Sequence, residues 1–488
     1  METNSRFEYK YIVAMIATFG LFMELLDATI VNVAVPTLSK DLHASTTAIE
    51  WVVTGYLLSL AVFIPISGWA GDRFGTKRVF MFALTVFVTG SALCGLAWND
   101  TALIGFRVLQ GIGGGMLTPV GTAMLFRAFP PSERAMASAL LSIPAVVAPA
   151  TGPVLGGYLV EFQSWRWIFW VNVPIGITGL LVSWLFLRED IQENPGHLDI
   201  PGFILSAAGL ASLVYALSEA GAKTFTDTRV VIFGLAGLAI ITLFTFVELR
   251  VKEPMIDVRL LRDKLFAATN FVQLVAQGGM QGALFLLPLF LQYEQGLSPL
   301  QSGLTTFPQA IGVVMMVQPA ARLYKRLGPR RMMMAGMAGI TVTTLAFYWV
   351  GVDTGQWTIR GIMLARGWAF ALTLIPLQTA TFATIRNQDT GRASAIFNSG
   401  RQVAASFGVA LLGTVLTLRM THYGAHVGPP VSAGAVSAFQ EGFLAAAALA
   451  AVGIVASLLI DDKAAAETMA QRQTYDAGEA EPLAVGAH

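Results

Sequence analysis

Glu24 and Asp27 lie three residues apart inside an apolar run, a spacing that puts both carboxylates on one face of a helix. Ionisable groups at bilayer depth are costly and mark functional positions. Arg107, Arg366 and Arg401 also fall inside apolar runs. Two carboxylates so close in a low-dielectric site do not both ionise comfortably, and a nearby guanidinium pulls the other way. Such opposed influences let a carboxylate release a proton in one conformation and regain it in another. Arg107 has no deprotonated state to offer, so its part would be to tune a carboxylate or relay through water. The rival reading of Asp27 is a permanent buried pair with an arginine that only fixes helix packing. Arg366 reads equally as a packing counterpart of Arg107. Arg401, with Asn398 and Gln402 nearby, faces a cavity or caps helix carbonyls.

The elements that must hold these groups follow from composition. Of 488 residues, 55% are hydrophobic and only 12% charged, about half the ~25% of a soluble domain. Mean hydropathy is +0.63. Too few charges are present to coat several globular surfaces, so the chain reads as an all-α polytopic membrane protein. A soluble enzyme, a secreted disulfide scaffold and a disordered chain are disfavoured. A crossing helix needs ~20 apolar residues, and fourteen such runs can be drawn. Residues 1–10 precede the first, and 11–190 hold six. Residues 200–250 hold two, 265–460 hold six more, and 461–488 form a polar tail. An even count puts both termini on one side. Arg73, Lys77, Arg78, Arg127 and Arg134 then crowd the loops of that side, which marks it as cytoplasmic. The first run lacks a small-residue cleavage site and is read as a retained helix. The loop 420–437 is assigned no structure.

An internal repeat supports this layout. Gly75 is followed by Lys77 and Arg78, and Gly328 by Arg330 and Arg331, at equal spacing. Arg107 precedes Pro119 as Arg366 precedes Pro376. Two related six-helix bundles flank an inserted pair. The lone Cys94 cannot form an intrachain disulfide and reads as a small buried hydrophobe. None of the five histidines falls in an apolar run, so no metal site is expected. No HExxH or GxSxG motif occurs. Gly111 and Gly113 to Gly115 lack the Lys-Ser/Thr of a phosphate loop, and no cofactor or nucleic-acid partner is expected.

Five ordered motifs carry a family resemblance. Leu26 through Pro36 centres on Asp27. Residues 68–78 match G-x-x-x-D-R-x-G-x-K-R. Arg107-Val108-Leu109-Gln110-Gly111-Ile112-Gly113, Gly152-Pro153-Val154-Leu155-Gly156-Gly157 and the stretch from Trp165 to Pro174 follow. Over nearly the whole chain the sequence resembles the major facilitator superfamily, and more closely its fourteen-spanning drug:proton antiporter branch. The resemblance implies a proton-coupled multidrug efflux transporter of the cytoplasmic (inner) membrane. It would be a monomer embedded in the bilayer, exporting hydrophobic or amphiphilic small molecules against protons by alternating access. It implies proton coupling at Asp27 with Arg107, to which the spacing of the two carboxylates adds Glu24, and a conformational latch at Asp72, Arg73, Gly75 and Arg78. It also implies an antiport helix at Gly152, Pro153, Gly156 and Gly157. Asn32, Phe285, Phe307, Met315, Asn398 and Arg401 are candidates to line the cavity. Physically, Gly75 permits a tight turn, Gly152, Gly156 and Gly157 allow close backbone approach, and Pro153 kinks its helix.

The departures matter. Lys325 stands where the first repeat has Asp72, and Glu24 is extra to the first-helix signature. The apolar runs 302–320 and 396–418 carry no acid, which disfavours doubly charged cations and favours neutral, amphiphilic or singly charged cargo. Rival readings are an exporter of an endogenous lipid, siderophore or self-made antibiotic, an importer or uniporter, and a non-transporting scaffold or receptor. The last predicts that Asp27→Asn changes nothing. An intramembrane enzyme is the weakest, since no nucleophile–base pair is visible.

Overall fold

The computed structural model is all-α among the residues it describes, which are 3–129, 134–191, 198–223, 225–251, 254, 256–386, 389–428 and 431–466. Where no water can satisfy a backbone amide, a helix satisfies its own. The chain begins with α1 (Thr3–Asp41), α2 (Thr46–Phe74), α3 (Thr76–Gly95), α4 (Asp100–Ala128) and α5 (Arg134–Phe162). Next come the short α6 (Trp167–Trp170) and α7 (Asn172–Phe186), then α8 (Ile200–Ala222) and α9 (Thr228–Glu248). The remainder is α10 (Lys264–Leu289), α11 (Pro299–Thr306), α12 (Pro308–Leu345), α13 (Gln356–Ala380), α14 (Thr390–His422) and α15 (Ala433–Ser457).

Eleven stretches of the described residues are long and apolar enough to cross a membrane. One of them, Pro299–Trp349, is 51 residues long and bends at Gly328, which leaves helical geometry at φ 75° just before Pro329. The glycine tolerates the left-handed backbone and the proline starts the next helical stretch. Four details depart from the sequence reading. The sixth apolar run is two helices meeting at Val171. The seventh run is the full helix Ile200–Ala222, capped by the Asp199 side chain on Gly202 N at 2.9 Å. The α10 helix widens into a π turn, Phe290–Glu294. Much of the 420–437 loop is helical, because α14 reaches His422 and α15 starts at Ala433. The polar tail lies beyond the described residues from 467 onward.

The packing puts α4 among α1, α2 and α3, and α5 along α1. Elsewhere α10 lies on α14 and α15, α12 on α13 and α15, and α8 on α9. Two further contacts join distant parts of the chain: α14 lies against α2, and α11 against α5. The largest buried cluster runs through α1 to α4 and on into α10, α14 and α15, with Phe87, Phe169, Phe285 and Phe439 fully covered. The opposite pattern holds on α7 and α9, where Trp184, Leu185, Leu235 and Leu238 are exposed. Apolar surface on that scale belongs in hydrocarbon rather than water.

For reference below, the near end of the molecule is where α2 turns into α3, and the far end is where α1 turns into α2.

Candidate functional site

The site is built on α4, and glycines let α4 in. A Cβ on Gly90 of α3 would stand 2.6 Å from the Cα of Gln110. A Cβ on Gly111 would meet the Ser59 Cβ at 2.7 Å, and one on Gly115 the Leu60 carbonyl at 2.8 Å. Backbones this close leave no room for side chains, so the glycine run is a packing device, and it carries Arg107 and Gln110 into the core.

Asp27 is fully buried and all its partners are fixed. The Arg107 Nη1 donates to its Oδ2 at 2.5 Å. Gln110 Nε2 donates to Oδ1 at 2.8 Å, and Asn172 Nδ2 donates to the same oxygen at 3.1 Å. Arg107 also donates to Gln110 Oε1 at 2.8 Å and, through Nε, to the Val52 carbonyl at 3.1 Å. The Tyr56 ring centre lies 3.8 Å from the guanidinium carbon, a cation–π contact that shields the remaining face. The second orienting layer is Ser91, which receives an Asn172 hydrogen bond at 3.1 Å and donates to the Phe169 carbonyl at 2.9 Å. A buried carboxylate with this many charge-assisted partners is held firmly in one geometry.

Glu24 is placed differently, one helical turn nearer the N-terminus. Its side chain accepts one hydrogen bond, from Thr118 of α4, and Tyr56 OH donates to its backbone carbonyl at 3.5 Å. It lies within electrostatic reach of Arg401 on α14 without forming a direct ion pair. The two acids that share a helix face thus have different partners: Asp27 is held within the α1–α4–α7 cluster, and Glu24 accepts from Thr118 of α4 within electrostatic reach of Arg401.

The expected cavity residues disperse. Arg401 is half-buried in a narrow cleft between α10, α13 and α14 that Gln273, Gln277, Phe370 and Gln378 also line. Asn398, one turn away, donates to the Ser394 carbonyl at 3.0 Å. Asn32 is buried and its side-chain oxygen has no partner. Phe307 is half-buried, and Met315 is more than half exposed. Phe285 is completely covered inside the main apolar cluster, where α10 packs on α14 and α15.

At the near end, Gly75 sits at φ 95°, as the tight turn requires. Asp72 accepts from Arg127 Nη2 at 2.6 Å, and the other nitrogen of Arg127 reaches Asp190 at 3.0 Å. Lys77 Nζ donates to the Trp184 and Leu187 carbonyls at 2.8 and 2.7 Å, closing the end of α7. Arg73 is exposed, and Arg78 makes only a long 3.5 Å contact with Glu189. Sequence reasoning missed Glu189, whose side chain accepts from the Lys77 backbone N at 3.0 Å. The second repeat copies this bond: Asp462 accepts from the Arg330 backbone N at 2.9 Å, two residues after the positive-φ Gly328. The lysine at 325 therefore does not leave the second turn unsecured; its carboxylate arrives from beyond α15.

On α5, Gly152 and Gly156 face α1, where a Cβ on Gly156 would meet the Ile30 carbonyl at 2.7 Å. Gly157 instead faces α11, where a Cβ would lie 2.5 Å from the Pro299 carbonyl. Glu161 of α5 accepts from Leu300 N at 3.0 Å. The far end is further closed by Gln292 Nε2 donating to Val33 O at 2.8 Å and Tyr293 OH to Pro36 O at 3.0 Å.

Several buried acids had no place in the sequence reading, Glu50 and Glu248 among them. Glu50 of α2 is 2% exposed and accepts a hydrogen bond from Ser218 of α8. It also lies where any side chain on Gly413 of α14 would stand. Its position just before the apolar run beginning at Trp51 gave it the look of a loop residue.

Residues 17–409 match the family model described as Major Facilitator Superfamily. The Multidrug resistance protein B homolog of Mycobacterium tuberculosis (strain ATCC 25618 / H37Rv) is 35% identical over 413 residues, covering 84% of this chain and 76% of that one. The Putative multidrug resistance protein MdtD of Pectobacterium carotovorum subsp. carotovorum (strain PC1) is 32% identical over 403 residues, covering 82% and 86%. Among solved structures, an inward-facing bacterial homolog of the human lysosomal transporter Spinster superposes with a TM-score of 0.63 at 16% identity, over 94% of this chain and 97% of that chain. The chain belongs to the major facilitator superfamily and is a multi-pass membrane transporter.

Proposed function

We propose that this protein is a proton-coupled exporter of hydrophobic or amphiphilic small molecules. It would belong to the fourteen-spanning drug:proton antiporter branch and act as a monomer in the cytoplasmic membrane with both termini inside. The relatives named as multidrug resistance proteins support the cargo class. In this reading α4, α5 and the bent α12 complete the count of crossings. Residues 11–190 and 265–460 form two bundles that rock about a central cavity, and 200–250 is inserted between them.

What supports the reading is that Glu24 of α1 lies within electrostatic reach of Arg401 of α14, on helices of different bundles. One proton on Glu24 switches one attraction across the cavity, so protonation state and bundle geometry are coupled. Asp27, bound by Arg107, Gln110 and Asn172, holds α1 in register while Glu24 titrates. Each proton moving down ~100 mV supplies roughly 2.3 kcal/mol, so one or two sustain roughly one to three decades of cargo gradient.

Proteoliposome transport of a hydrophobic dye under an imposed pH gradient tests this. Wild type transports only with the gradient, and Glu24→Gln abolishes gradient dependence while remaining folded by size exclusion. Gradient-independent export by wild type, or unimpaired gradient-driven export by Glu24→Gln, would overturn the reading.

A further inference from the structure

The two arginines that the repeat pairs have opposite fates. Arg107 of α4 finds its countercharge in Asp27 of α1. Arg366, its counterpart on α13, is 2% exposed, and both its terminal nitrogens lack a hydrogen-bond partner. Among the described residues no carboxylate forms an ion pair with it. The cause is in the sequence: α10, α11, α12, α13 and α14 contain neither aspartate nor glutamate. A buried guanidinium without a countercharge costs several kcal/mol, a penalty that a state with a bound anion removes.

A cleft opens on the same side of α13 as Arg366. Phe370, Thr373 and Leu377 of α13 line the cleft against α10 and α14. Arg366 lies on that same face of α13, four residues before Phe370, so the lining stripe continues to it after one turn. The cleft also holds the Arg401 guanidinium and the amides of Gln273, Gln277 and Gln378. Arg401, the adjoining Arg366, several amide groups and the two rings of Phe370 and Phe397 suit an aromatic or amphiphilic molecule bearing a carboxylate, sulfonate or other delocalised anion.

We propose that the α10–α13–α14 cleft is an anion-accepting cargo site, in which Arg366 binds the negative group of an amphiphilic organic anion. The proposal rests on the export reading for the word cargo, since it names the class of molecule that the carrier takes.

The test is equilibrium binding to the full-length protein in neutral maltoside detergent, by calorimetry, with three isosteric probes. These are naphthalene-2-sulfonate, naphthalene-2-sulfonamide and 2-naphthylmethylammonium. Wild type should bind the sulfonate at least ~10-fold more tightly than the other two, as charge-assisted hydrogen bonds imply. This comparison needs no variant. Arg366→Gln should weaken the sulfonate by about 10- to 100-fold, leave the ammonium within about twofold, and be partly rescued by Arg366→Lys. No sulfonate preference in wild type overturns the proposal, as does sulfonate binding that survives Arg366→Gln. Equal loss of all three probes in both variants assigns Arg366 to packing and overturns it too. Nanodiscs distinguish the two sources of negative charge. If phosphatidylglycerol competes with the sulfonate in wild type relative to pure phosphatidylcholine, the site belongs to a lipid headgroup and the cargo assignment fails. Unchanged affinity supports it. No gradient is applied in any arm, so loss of proton coupling and loss of anion selectivity would register in separate experiments.

Discussion

The Asp27–Arg107 pair shows how a charge survives at bilayer depth. Both Asp27 oxygens accept hydrogen bonds, from Arg107 and from two side-chain amides, and one backbone carbonyl and one aromatic face complete the setting of Arg107. Removing either member strands the other. Asp27→Asn or Arg107→Ala should each lower unfolding stability in detergent by about 3–5 kcal/mol, and the double variant should cost less than the sum. Additive losses would mean that the two charges do not interact. The presence of Glu24, Asp27 and Arg107 at depth was legible in the sequence, because charges in an apolar run stand out. Which acid is sealed was not, because both share one helix face. The difference comes from Gln110 and Asn172 on one side and Thr118 on the other, and Asn172 joins Asp27 across 145 positions of chain. Glu50 escaped for another reason: its helix starts at Thr46, ahead of the apolar run, and the helix that covers it is α8.

Among elements, α4 depends on having no side chains where it crosses its neighbours. Gly113→Val would drive a branched side chain into the Phe87 backbone of α3, where even a Cβ would stand 2.8 Å from the Phe87 Cα. This variant should abolish accumulation of folded protein, read by fluorescence size exclusion, and a folded Gly113→Val would contradict the packing argument. The two glycine turns permit a paired prediction. Glu189→Gln and Asp462→Asn each weaken a carboxylate bond to a helix-start amide, so each should lower stability by about 0.5–1 kcal/mol in thermal unfolding. The repeat in Gly75 and Gly328 was readable from spacing. The carboxylates that serve it were not, since they come from the chain beyond α7 and α15 and share no motif with the turns.

Over the whole molecule, the far end is shut by contacts that cross between the bundles. Gln292 and Tyr293 reach α1 backbone carbonyls, and Gly157 and Glu161 meet α11. Alternating access requires these to part. With Gln292→Ala and Tyr293→Phe together, a cysteine introduced at Asn32 should react several-fold faster with a membrane-impermeant maleimide added at the far side. The native Cys94, fully buried, supplies no background. An unchanged rate would show that these hydrogen bonds do not hold that side closed. The helical run of the chain and its membrane character were legible from composition; the closure was not, because it depends on backbone carbonyls that no motif records.

The position of α8 has a consequence for lateral entry. This helix lies over the line where α2 meets α14, tied to one by Glu50 and Ser218 and to the other by the bond from Thr414 Oγ1 to Leu217 O at 2.7 Å. A molecule dissolved in the lipid tails meets a shutter there, backed by α9. Among the described residues neither α8 nor α9 packs against the opposite seam, where α5 meets α11, so traffic from the hydrocarbon phase would be one-sided.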